Sequence, residues 1–130
     1  MSFGYVGIPD YLVKSSGYML TLMAGMNMPL RRYSRGIRIV YTVEAFGPRP
    51  GEIYDWGYLS PVRFTERHVE KAVAAGLVSL NDPFVFLTPK GVELSKPCSE
   101  VWGHELDEYF RGHGIDWRKM GWGNVTSPKE

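Results

Sequence analysis

The chain has 130 residues, a single-domain length, with 44% apolar and 22% charged side chains, a globular balance rather than a disordered one. Its formal net charge of +1 supplies no global field to draw it onto DNA or an anionic membrane. Its one cysteine, Cys98, excludes an internal disulfide and suits a reducing compartment.

Charge is unevenly spread. Between Arg31 and Arg49 stand five arginines and one acid, Glu44, whereas between Glu93 and Asp116 six acids face only Lys96 and Arg111. A basic front and an acidic rear are the expectation. The N-terminus lacks the basic start and apolar run of a signal peptide. Tyr18 to Leu30 is apolar but interrupted, and too short for the roughly 20 residues that span a bilayer. The expectation is a cytoplasmic protein without a membrane partner.

In chain order, residues 1–32 read as an N-terminal extension partly packed into the core. Gly4, Gly7, Pro9 and Gly17 break any long helix there, and the segment 18–23 suits a strand or a short buried helix equally. Met19, Met23, Met26 and Met28 read as core filler. From Tyr33 to Phe46 the apolar residues Ile37, Val40, Val43 and Phe46 fall three apart, as on a helix. The β-branched run 39–43 suits a strand as well. The firm stop 47–51, GPRPG, then a short helical segment 52–59 and Ser60-Pro61, favour a first helix and a helix-turn-helix order.

The clearest element is the helix Thr65 to Ala75. Thr65 is a good N-cap, Glu66 suits the positive end of the dipole, and Gly76 fits a left-handed C-cap. Val69, Ala72, Val73 and Leu77 form the expected buried stripe, with Arg67, Glu70, Lys71 and Ala74 outside. Two strands, 77–80 and 84–87, flank the turn Asn81-Asp82-Pro83. Thr88-Pro89 then opens a helix, with proline at its first position. A last, separate helix is expected from Pro97 to Arg111, capped by Ser95 and ended by Gly112 and Gly114. Residues 115–130 read as a docked arm or a frayed tail.

Residues 52–94 resemble the winged helix-turn-helix superfamily, and most closely the small regulators of the MarR and PadR type. The resemblance rests on Ala75-Gly76-Leu77-Val78 and Leu87-Thr88-Pro89-Lys90-Gly91 as they stand. It implies an α+β fold, mostly α, with a winged helix-turn-helix domain at 33–95, a two-stranded wing, and N- and C-terminal extensions. Residues 96–114 would be a C-terminal helix serving a homodimer or a partner, and 115–130 a tail.

The resemblance further implies that the helix Thr65 to Ala75 enters the major groove of double-stranded DNA, with Asn81-Asp82 at the wing tip. Arg63, Arg67 and Lys71 would then contact bases or phosphates, and Arg31, Arg32, Arg35 and Arg38 would clamp the backbone. The function expected is a transcriptional regulator acting by site occupancy without catalysis. The alternative is a winged-helix protein-interaction module, such as a virus-encoded inhibitor of a host complex or a subunit of nucleic-acid machinery. Glu66, Glu70, the acidic wing tip, the acidic last helix and the near-neutral total favour that alternative. A third mode would stack single-stranded bases on Trp117 or Trp122.

No catalytic chemistry is expected. His104-Glu105-Leu106-Asp107-Glu108 lacks the second histidine of a zinc-protease motif, and neither a phosphate loop nor a serine elbow occurs. Cys98, His104 and Glu108 match no common metal spacing, so no metal or cofactor is expected.

Overall fold

The computed structural model describes residues 7–46, 62–121 and 124–126. They form three helices and one four-stranded antiparallel sheet. In order these are α1 (Lys14–Met26), β1 (Leu30–Arg35), β2 (Arg38–Thr42), α2 (Glu66–Ala74), β3 (Val78–Asn81), β4 (Phe84–Leu87) and α3 (Pro89–Arg111). Short 3-10 turns follow at Glu44–Phe46 and Trp117–Lys119. The sheet order is β2-β1-β4-β3. The short helix expected at 52–59 lies outside the described residues.

The stretch 33–46 is not a helix. It supplies most of the β1–β2 hairpin, in register from Arg31 opposite Thr42 to Arg35 opposite Arg38. Gly36, at φ +66°, turns the chain, and Ile39, Val40 and Thr42 of β2 then pair with Ser34, Tyr33 and Arg31 of β1. The three-residue spacing misled because residues 39–43 are buried as a strand, whereas Ile37 lies in the turn.

Within 1–32, α1 is a central helix. Met19, Leu20, Leu22, Met23 and Met26 are buried on more than one side of it, together with Met28 just beyond. A helix buried this widely carries no single apolar stripe, so its periodicity is faint. Asn27 ends it in the left-handed conformation, φ +54°.

The last two expected helices are one. α3 runs through Pro97, because Gly91, Ser95, Cys98, Trp102, Leu106 and Phe110 form a single buried stripe across the break. That packing outweighs the lost backbone hydrogen bond. Ser95 caps nothing; its hydroxyl donates to the Val92 carbonyl at 2.6 Å. The stripe packs on α1, where Trp102 fills the notch left by Gly17 and Trp117 the notch left by Gly25; a Cβ there would come within 2.2 and 2.5 Å of the indoles. Trp102 and Phe110 are therefore core residues of this chain. Trp117, weighed as a base-stacking residue, is buried, and its Nε1 donates to Asp107 at 2.7 Å. Trp122 lies outside the described residues.

The segment that carried the family resemblance is a lock between α2 and α3. Gly76 takes φ +76° after α2. Thr88 caps α3, its Oγ1 accepting from the Gly91 N–H, and donates to the Gly76 carbonyl at 2.5 Å. Lys90 Nζ donates to the Ala75 carbonyl at 2.9 Å. Gly91 lets the helix touch the turn, since a Cβ would stand 2.0 Å from the Leu77 oxygen. Each motif residue thus has a geometric task in fixing α2 and its hairpin.

Candidate interaction surfaces

The α2 helix begins with a reciprocal cap. Thr65 Oγ1 accepts from the His68 N–H and His68 Nδ1 accepts from the Thr65 N–H, both at 3.2 Å. Burial, with the charge of Lys71 adding to it, lowers the pKa of His68. Val69 and Ala72 face the core. Val73, expected inside, stays 39% exposed. Arg67 and Lys71 stand exposed one turn apart, and Arg63 is half-buried just before the helix.

A groove of about 270 Å³ runs along one flank of α2. Its apolar lining is Tyr41, Val69, Val73, Ala74 and Leu80, and Glu66 and Glu70 rim it. Tyr41 and Leu80 come from β2 and β3, the two outer strands of the sheet. Leu80 is 51% exposed. Burial raises the pKa of Tyr41; Arg32 opposes this, and Glu66, Asp82 and Glu70 add to it. Three acids therefore gather about one phenol. On the other flank, Tyr11, Val13 and Lys71 line a second hollow, of about 360 Å³, and Ala74 borders both.

The expected wing tip is Asn81-Asp82, and its carboxylate is engaged: Arg32 Nη2 donates to Asp82 at 3.2 Å. Among α2, the wing tip and Arg32 the bases are Arg32, Arg67 and Lys71, and the acids Glu66, Glu70 and Asp82. They cancel. Among the described residues Arg67 and Lys71 make no ion pair with the two glutamates.

The arginines of the first hairpin do not form one clamp. Successive strand residues point to opposite faces, so Arg31 and Arg32 diverge. Arg31 lies with Phe84 and Tyr33, its guanidinium 5.9 and 5.3 Å from the two rings, and 3.8 Å from Glu44. Arg38 is exposed and free of ion pairs among the described residues. Arg35 is its cross-strand partner at the base of the turn. Among the described residues β4 pairs with β1 only at Leu30 and Arg31; above that level Val40 is still buried and Ile39 packs against the core, so it is the turn Gly36-Ile37 and Arg38 that stand exposed. At the hairpin's tip Ile37 is 106% exposed.

Chemistry of other kinds finds little support. Cys98 is buried in the core and its thiol is pushed up to about 12 by burial, whereas His104 and Glu108 are exposed. These three do not share a face. Among the described residues no cluster of His, Cys, Asp or Glu is placed to hold a metal, and no helix is long and apolar enough to cross a membrane.

The sequence reading missed Val73, Leu80 and Ile37 as exposed apolar residues. The only signal for Ile37 was Gly36 between two arginines, which marks a turn rather than a face. No protein family, curated protein or solved structure matches the chain, so the functional reading rests on these surfaces.

Proposed function

We propose that this protein is a non-catalytic winged-helix interaction module that docks a partner protein on the face built by α2 and the β3–β4 hairpin. Support comes from the second half of the winged-helix pattern alone, α2 followed by a hairpin and α3; the first helix expected at 33–46 is replaced by the β1–β2 hairpin. One observation carries the docking assignment. The face cancels its own charge while leaving Val73 and Leu80 exposed beside an acid-rimmed groove. Phosphate contacts supply most non-specific DNA affinity, and a groove edged by two carboxylates repels them. Burying Val73 and Leu80 stabilises a complex by about 1.5–3 kcal/mol each at most.

The groove fits an amphipathic helix. It lies along α2 between Tyr41 of β2 and Leu80 of β3, with Val69 and Val73 one turn apart on its apolar floor. Glu66 and Glu70 lie one turn apart, matching a basic pair four residues apart on the partner. The partner class is a protein presenting a basic amphipathic helix.

A second reading, duplex DNA on the same face, has Arg67 and Lys71 in its favour, exposed side by side on α2. One experiment separates the two. A helical peptide with a leucine face and lysines four apart is titrated into the protein, beside a twin carrying glutamates. The lysine peptide saturates and shifts the amide signals of Val73 and Leu80, the twin does not, and Glu66→Lys with Glu70→Lys reverses the preference. Failure of the lysine peptide, with duplex DNA moving those signals through Arg67 and Lys71, overturns docking in favour of the DNA reading.

A further inference from the structure

The two flanks of α2 carry opposite signs, and the docking face uses only one of them. The hollow on the other flank, about 360 Å³, has apolar walls from Leu12, Val13, Ala75 and Leu77, and its charged lining residue is Lys71. No acid is among the described residues that line it, whereas Glu66 and Glu70 rim the groove on the opposite side. Lys90 stands at its edge, with Nζ 4.9 Å from the centre of the Tyr11 ring and donating to the Ala75 carbonyl at 2.9 Å. That bond answers the negative end of α2. The charge of Lys71 is left for an occupant, since it makes no ion pair among the described residues.

The start of α1 opens on the same hollow. Its N-cap is Val13, which cannot accept a hydrogen bond, so the N–H groups of Lys14, Ser15 and Ser16 have no capping side chain. An uncapped first turn presents the positive end of the helix. Ser16 is a second and independent sign of a ligand. It is 3% exposed and lines the hollow, yet its hydroxyl has no hydrogen-bond partner among the described residues. Thr21 on the same helix shows the usual arrangement, its Oγ1 donating to the Gly17 carbonyl at 2.8 Å. A buried hydroxyl is ordinarily paired, and this one faces a cavity instead.

We infer that the hollow between α1 and α2 binds a small carboxylate with an aliphatic body of about eight carbons. Its carboxylate accepts from the Ser16 hydroxyl and from the uncapped N–H groups of α1, and Lys71 balances its charge. Its chain lies on Leu12 and Leu77 beside the Tyr11 ring. The hollow takes about ten heavy atoms at on the order of 30 Å³ each, a water's share of liquid volume, which sets the length. An inorganic anion would leave the apolar walls in water, and an uncharged lipid would leave Ser16 and Lys71 unanswered.

This site is separate from the acid-rimmed groove, so the two assignments fail independently. The test follows assigned amide signals of the full chain during titration with octanoate at millimolar concentration, beside octanamide and acetate. Octanoate saturates and shifts Lys14–Gly17 and Ala75. Octanamide keeps the chain without the charge and acetate the charge without the chain, and each binds at least about tenfold more weakly. Ser16→Ala weakens octanoate by about tenfold, with circular dichroism reporting whether the fold is intact. Lys71→Gln, at an exposed position, weakens it by about threefold without burdening the fold. No saturation by octanoate, equal binding of octanamide or acetate, or binding that neither substitution weakens overturns the site. Shifts confined to Val73 and Leu80 also overturn it, because they place the chain in the docking groove.

Discussion

The α2–wing face and the β1–β2 hairpin differ in how their charges are answered. On α2 two bases and two acids balance in number without an ion pair among the described residues, and Val73, Ala74 and Leu80 stand exposed beside them. On the hairpin the tip's two arginines flank a single isoleucine, and the nearest described ion pair is Arg32 with Asp82 at the hairpin's root. A surface that neutralises itself and stays apolar selects protein, because desolvating it costs little. The lesson is that basic residues must be counted with their neighbours. Seven bases were assigned to DNA from sequence, yet they fall on several separate surfaces.

The comparison assumes that the two regions share one support and otherwise act separately. Trp117→Ala should strike both, because the indole fills the Gly25 notch of α1; a loss of about 3–5 kcal/mol in denaturant unfolding is expected. Loss of peptide binding with stability kept in that variant would break the shared-core premise. Leu80→Glu should be next in size. It places a third carboxylate in the groove and should weaken the lysine peptide about tenfold by anisotropy, with octanoate binding unchanged.

Thr88→Val should cost about 1 kcal/mol by removing the α3 cap and the bond to Gly76. Amide exchange in this variant should quicken around 75–78 and leave 33–41 as before. The smallest effect is a pH term. His68 has a lowered pKa in the fold, so between that value and its ordinary 6.5 the unfolded chain binds more protons. Stability should therefore fall as pH drops through this window, and the step should vanish in His68→Gln. Persistence of the step in that variant would place it elsewhere.

The sequence was most legible where local chemistry and tertiary packing agree. Thr65, Gly76, Thr88 and Pro89 occupy their expected capping positions, and the second hairpin lies within one residue of its expected limits. It was least legible where packing overrides a local rule. Pro97 signals a break, yet α3 continues because its stripe against α1 is continuous. Residues 14–26 show no amphipathic face because they are buried on more than one side. The hairpin 30–42 contains an accidental three-residue spacing whose first member, Ile37, is in solvent. Of the candidate sites, Arg67 and Lys71 could be placed on an exposed helix face from the sequence. The groove could not, since it needs Tyr41 and Leu80 from strands distant along the chain.

The docking assignment is tested most directly by assigned amide spectra of the full protein, titrated with a short duplex at about 50 mM salt and separately with the peptide. The account predicts that the duplex leaves Glu66–Ala74 unmoved, whereas the lysine-faced helical peptide shifts Glu66, Glu70, Val73 and Leu80. Shifts along Arg67 and Lys71 with the duplex and none with the peptide would contradict it, and would return the duplex to α2.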